Sequence, residues 1–268
     1  MTAPVDELLR LATHLAVTAG RMVRDGRAAH GIADAGSKSS ATDVVTEFDR
    51  ASEEMIVSSI LDQRPNDGIV GEEGTSTTGT SGIDWLVDPI DGTTNFLYGL
   101  PGYAVSIAAR SPEGTEVGAV YVPATDELFS ATRGGGATLQ GQPIRCSTTT
   151  DLSLALVATG FSYLAERRAQ QAQRIAMLLP QVRDLRRMGA AAPDLCSVAA
   201  GRVDAYFEEF LGPWDIAAGV LIAAEAGCLL GGLDGGEARP RSLLAASPGV
   251  YHQVLDAVRA IDANLWQD

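Results

Sequence analysis

At 268 residues, with 46% hydrophobic and 20% charged side chains, the chain has room for one large domain or two closely packed halves and the composition of a folded, soluble protein. Its formal net charge of -14 argues against nucleic acid as the main partner and against an anionic membrane surface. The same charge would repel an anionic ligand unless a divalent cation sat between the carboxylates.

Taken in order, Leu8, Leu11, Leu15, Ala19 and Met22 recur at helical spacing and predict an amphipathic helix over the first two dozen residues. No basic segment leads into an apolar core there, so no signal peptide is expected. A Gly/Ser-rich loop centred on Gly36 to Ser40 follows, then a helix from about Val44 to Leu61. Gly68 to Val70 is a short strand ending at Gly71-Glu72-Glu73, and Gly74 to Gly82 reads as an exposed loop. Strands are expected at Asp84–Asp88, Tyr103–Arg110, Val117–Val122 and Leu128–Thr132, with a turn at Gly134-Gly135-Gly136. Beyond Leu154–Thr159 and a charged helix over Glu166–Leu179, strands at Leu185–Met188, Val203–Glu208 and Leu243–Ala246 alternate with helices near Asp194–Ala200, Pro213–Ala226 and Val250–Ile261. This order suggests layered α+β or α/β sheets packed between helices.

The longest apolar stretch, Val220 to Leu230, is broken by Glu225 and too short to span a bilayer, so the cytoplasm is the default compartment. Cys146, Cys196 and Cys228 sit among small or apolar residues and read as buried structural thiols rather than a disulfide framework.

The chemistry concentrates at Asp88-Pro89-Ile90-Asp91-Gly92-Thr93-Thr94-Asn95. An apolar strand ends in Asp88, Pro89 is expected to stop the ladder for want of an N–H, and Asp91 follows one turn later. Gly92 lets the backbone approach a ligand, and Thr93 to Asn95 can open a short helix whose free N–H groups face an anion. D-x-x-D alone reads as readily as an Asp-rich turn. The full string, with Glu72 at a strand end upstream and Asp215 in the first turn after Gly212-Pro213-Trp214, points instead to a hard cation and a phosphoryl group.

These blocks resemble the inositol monophosphatase family, within the lithium-sensitive, metal-dependent phosphatase superfamily. Gly71-Glu72-Glu73, the Asp88 to Phe96 string, Gly189 to Ala192, and Trp214-Asp215 with the helix to Gly227 carry the resemblance, and Lys38-Ser39-Ser40 through Asp43, Thr46 and Asp49 also fits. It implies a layered α/β/α/β/α sandwich of the inositol monophosphatase or fructose-bisphosphatase type. Residues 1–150 would form an α+β half carrying the metal motif, and residues 151–268 an α/β half completing the cleft. It further implies two or three Mg²⁺ ions. Glu72, Asp88 and the Ile90 carbonyl would hold one, Asp88, Asp91 and Asp215 a second, and a weaker third would lie near Glu72. Thr93, hydrogen-bonded to Asp49, would help deprotonate the attacking water, with Glu72 also catalytic. His14, His30 and His252 lie outside every block, which disfavours a phosphohistidine route.

For substrate, the resemblance assigns phosphate to the Gly92 and Thr93 N–H groups, ring hydroxyls to Glu208, and backbone contacts to Gly189 and Ala191, with Asp91 and Asp215 beside the substrate. Ala190 departs from the family, which often has Ser or Thr there. Glu208 and the Asn95 to Pro101 continuation favour inositol monophosphate, with histidinol phosphate the runner-up. A regulatory or scaffold protein retaining the fold is the alternative from another class. Homodimers are usual in the family.

Overall fold

The computed structural model describes residues 5–32, 35–37 and 44–265. The segment from Lys38 to Asp43 therefore lies outside the described residues.

The chain opens with helix α1 (Val5–His30), whose Leu8, Leu11, Leu15 and Ala19 are buried at the expected helical spacing, while Met22 is exposed and the neighbouring Val23 is buried in its place. Strands β1 (Ala35–Ser37) and β2 (Val44–Thr46) pair antiparallel, and α2 (Glu47–Gln63) follows. Val44 to Thr46 was expected to be helical. Its β-branched residues are extended instead, and the helix starts at Glu47 because Thr46 caps it. Thr46 Oγ1 accepts the Phe48 N–H, and Asp49 Oδ2 accepts the Thr46 N–H.

Next come β3 (Gly68–Gly71), the two-residue β4 (Ser76–Thr77), β5 (Asp84–Asp91), α3 (Thr93–Tyr98), β6 (Ala104–Ser111), β7 (Gly114–Val122), β8 (Glu127–Thr132), β9 (Gly136–Leu139) and β10 (Gln142–Pro143). Among the described residues they form an eight-stranded sheet in the order β10-β9-β8-β7-β6-β5-β3-β4. The second sheet follows in the chain: β11 (Leu156–Thr159), α4 (Ala165–Leu178), β12 (Asp184–Arg186), α5 (Ala191–Ala199), β13 (Ala205–Glu208), α6 (Pro213–Glu225), β14 (Leu229–Gly231), β15 (Leu243–Ala246) and α7 (Tyr251–Leu265). Its order is β12-β11-β13-β15-β14. Strands β1, β4, β9, β10 and β14 went unread in the sequence; each is two to four residues long and lacks a clear alternating pattern.

The layering follows from period-two alternation in strands buried on both faces. Trp85 and Val87, Val105 and Ile107, and Ala119 and Tyr121 face α1 and α2. Leu86, Ala108 and Val120 face the opposite way, onto α5 and α6. Helices α5 and α6 meet Tyr206, Leu243 and Ala245 of the second sheet on their other side. Ala205, Phe207, Leu244 and Ala246 of that sheet turn toward α7 and Leu178 of α4. The result is the expected five-layer α/β/α/β/α sandwich. Helix α6 is almost wholly apolar because it is the middle layer, covered by both sheets.

Among the described residues no helix is long and apolar enough to cross a membrane. Cys196 and Cys228 are buried, while Cys146 is only half-buried, and all three thiols are free.

Candidate active site

Strand β5 is buried from Trp85 to Asp91 and does not end at Pro89. It continues to Asp91 through an irregularity in its pairing with β6, where Asp88 opposes Ser106 and Asp91 opposes Ala104. The motif thus spans three residues where its partner spans two, and Asp91 is extended rather than one helical turn on. Pro89 sits in this bulge, where a missing N–H costs no ladder bond. In a regular strand, residues three apart point to opposite faces. The extra residue restores them to one side, and Asp88 and Asp91 line the same cleft.

The parallel register of Gly71 against Val87, with the Glu72 N–H on the Val87 carbonyl at 3.1 Å, brings Glu72 alongside. Asp215 arrives from the second half of the chain in the first turn of α6, its Oδ2 accepting the Gly212 N–H at 2.8 Å. The cleft they share has a volume of about 320 Å³.

These acids crowd one another. Burial pushes the Asp88 carboxyl well above the usual range, and Glu72, Asp91 and Asp215 add to it. Asp91 is raised likewise, by burial and then by Asp215, although the Ala192 N–H opposes the shift. Burial and Glu72 push Asp215 up to about 7. The Asp88 Oδ1 accepts the Ile90 N–H at 3.1 Å, which fixes the carboxyl among these neighbours. Among the described residues no group of three His, Cys, Asp or Glu side chains is splayed as an ion cage. The donor set nevertheless fits a hard cation: it is all oxygen, converges from three elements, and crowds negative charge that a cation would relieve.

Thr93 Oγ1 lies 3.0 Å from Asp49 Oδ1 and 3.0 Å from the Ile90 carbonyl oxygen. Asp49 is fully buried, and burial raises its pKa against the hydrogen bonds from Thr46 and Thr93. Gly92 adopts φ +89°, and a Cβ there would lie 2.8 Å from the Gly102 carbonyl oxygen and 2.9 Å from Ala190 Cβ. Glycine is required on both counts.

The second half closes the cleft. Asp91 accepts the Ala191 and Ala192 N–H groups at 3.2 and 2.5 Å, so it serves as the N-terminal cap of α5 from another element. Ala190 occupies the N-cap position and makes no side-chain cap bond. Asn95 Nδ2 donates to the Gly102 and Met188 carbonyls at 2.6 and 2.7 Å, tying α3 to the loop that carries Gly189. Glu208 lines the cleft and accepts the Tyr206 hydroxyl at 2.6 Å; burial raises its pKa, while Tyr206 and Arg187 counter the rise.

All the expected residues therefore gather here: Glu72, Asp88, Ile90, Asp91, Gly92, Thr93, Gly189, Ala191, Glu208 and Asp215 line the cleft, and Asp49 stands behind Thr93. Others were missed. A Cβ on Gly160 would fall 1.9 Å from Glu208 Oε2, so Gly160 makes room for that carboxylate. Arg187 and Arg167 also line the cleft, and the Arg167 guanidinium stacks 3.8 Å over the Phe210 ring at its mouth. Nothing in the local sequence marks these, because their partners lie on distant segments.

A family model described as the inositol monophosphatase family matches residues 5–263. The inositol-1-monophosphatase SuhB of Mycobacterium tuberculosis H37Rv is 43% identical, with 97% of each chain covered. The Nus factor SuhB of Escherichia coli K12 is 41% identical, covering 94% of this chain and 96% of that one. A solved inositol monophosphatase of Thermotoga maritima superposes with a TM-score of 0.88 at 30% identity, over 97% of this chain and all of the other.

Proposed function

The chain belongs to the inositol monophosphatase family, and from that premise we propose that it is a Mg²⁺-dependent phosphatase that hydrolyses myo-inositol 1-phosphate to inositol and phosphate. The observation that carries the reading is the convergence of Glu72, Asp88, Asp91 and Asp215 on one cleft beside the Thr93–Asp49 pair. Two ions would be held by Glu72, Asp88, the Ile90 carbonyl, Asp91 and Asp215, with a third near Glu72. Bound there, they supply the positive charge that a phosphoryl group needs in an acidic cleft and acidify a water.

The chain's own groups do the rest. The Thr93 hydroxyl takes a water proton as it passes its own to Asp49 Oδ1, 3.0 Å away. The Gly92 and Thr93 N–H groups orient the phosphate. Glu208, held by the Tyr206 hydroxyl, accepts hydrogen bonds from the ring, with Gly189 and Ala191 alongside. Residues 1–150 supply Glu72 to Thr93, and residues 151–268 supply Gly189 to Asp215. A homodimer, a cytoplasmic location, lithium inhibition, and the absence of nucleic-acid and membrane partners belong to this same reading.

The test is phosphate release from a panel of inositol, histidinol and sugar phosphates, with and without Mg²⁺, by the wild type and Asp88→Asn. Turnover of inositol phosphate that needs Mg²⁺ and is nearly abolished in Asp88→Asn is expected. Full turnover in a strong chelator would sink the metal-dependent reading, and preference for histidinol phosphate would move the substrate to the runner-up. A second reading, a regulatory protein on the same fold, is supported by the relatives named as Nus factors at 41% identity. Metal binding without turnover on any member of the panel would favour it.

A further inference from the structure

A helix lying on a sheet ordinarily buries an apolar stripe. On α2, part of the buried face is polar instead. Asp49, Ser52 and Glu53 stand at i, i+3 and i+4, so they share one side, and they are 0%, 0% and 2% exposed. Polar groups buried in this way are costly unless each finds a partner. All three partners lie in different walls of the cleft.

Asp49 takes the Thr93 hydroxyl, as described. Ser52 Oγ donates to the Pro89 carbonyl oxygen at 3.2 Å, inside the bulge between Asp88 and Asp91. Glu53 receives the turn after β3: Oε2 accepts the Glu73 N–H at 2.8 Å and Oε1 accepts the Thr75 N–H at 3.2 Å. The two bonds flank the turn that begins at Glu72. That turn wraps the carboxylate so closely that a Cβ on Gly71 would lie 2.5 Å from Oε2 and 2.8 Å from Oε1. Glycine at position 71 thus makes space for Glu53, and Glu53 is turned to the backbone rather than to the cleft.

We propose that Ser52 and Glu53 are positioning residues: the buried polar stripe of α2 holds the β3–β4 turn, the β5 bulge and the start of α3 at fixed relative heights, so that Glu72, Asp88 and Thr93 converge before any ion binds. This rests on the metal-dependent reading given above. Glu53 acts through backbone amides on Glu72, and Ser52 through the Pro89 carbonyl on Asp88 and Asp91.

Mn²⁺ binding measured by calorimetry, without substrate, tests it on the wild type, Glu53→Gln and Gly71→Ala. Glutamine keeps the size but turns an NH₂ toward one of the two backbone N–H groups. The Gly71→Ala change keeps the carboxylate and displaces it. Each is expected to weaken Mn²⁺ binding by about 10-fold or more, in the range that outer-shell partners of a metal site carry. Amide hydrogen exchange at residues 72–75 should quicken in both, while kcat recovers at high metal concentration. If the wild type binds Mn²⁺ and both variants bind it equally well, the inference fails and the metal-dependent reading stands. If the wild type itself binds no divalent ion, that reading fails first. Loss of the folded state in both variants would make Glu53 a residue of the core and overturn the positioning role.

Discussion

Thr93 of α3 and Glu208 of β13 both line the cleft, and their neighbours separate what each does. Thr93 touches Asp49, which stands behind it, and the Ile90 carbonyl. Thr93→Ala is expected to lower kcat by at least about a hundredfold, the low end of a general-base contribution, with Mn²⁺ affinity little changed. Glu208 touches Tyr206 and the open cleft. Glu208→Ala should raise KM for inositol phosphate by about 1.5–3 kcal/mol, one hydrogen bond to a charged group. It should spare an aryl phosphate, which has no ring hydroxyls. Equal losses on both substrates would make Glu208 structural and remove the best reason to favour inositol.

Two helices on the outer face of the second sheet are pinned by a single cation. Arg174 of α4 is 6% exposed and forks onto Asp262 of α7 at 2.7 and 2.8 Å, and its third nitrogen meets Glu209 at 2.6 Å. Removing it leaves two acids facing each other in a half-buried setting. Arg174→Met should cost about 3 kcal/mol in urea unfolding, the low end for breaking a buried pair. Because Glu209 adjoins Glu208, KM for inositol phosphate should rise as well. Arg174→Lys keeps the charge but not the fork, so its stability should fall between the two. An unchanged unfolding midpoint in Arg174→Met would show that the network is dispensable.

Across the whole molecule, the acids brought together by the two halves set a pH dependence. The Asp88, Asp91 and Asp215 carboxyl pKa values are raised in the fold, Asp215 from 3.8 to about 7. The folded chain therefore keeps protons that the unfolded chain has already released. The sign follows: without divalent ions, the stability that Asp215 contributes falls as pH rises from the unfolded value near 4 through about 7, and Asp88 and Asp91 act in the same direction. A cation bound there would replace those protons. The rise in Tm on adding Mg²⁺ should thus be larger at about pH 8 than at about pH 5, where the ion must displace protons. Equal gains at both pH values, measured by scanning calorimetry, would contradict the crowding of acids described here.

Much of this was legible one residue at a time. The apolar spacing of α1 told which face is buried, and Gly-Pro-Trp-Asp placed Asp215 in the first turn of α6, because those signals depend on neighbours within a turn. The Asp88 to Asn95 string marked the site, and its resemblance to a known family supplied the five layers. The errors and omissions share one origin. Pro89 was expected to end β5, yet the strand runs on through a bulge that only the pairing with β6 creates. Asp91 caps α5 from a hundred residues away, a contact that nothing in either local sequence marks. Ser52 and Glu53 passed as ordinary positions of a helix, and Gly160 as an ordinary glycine. Local periodicity reports how each segment divides between water and core. Which buried polar group meets which is decided by strand register and helix placement, which bring segments distant in sequence to within 3 Å.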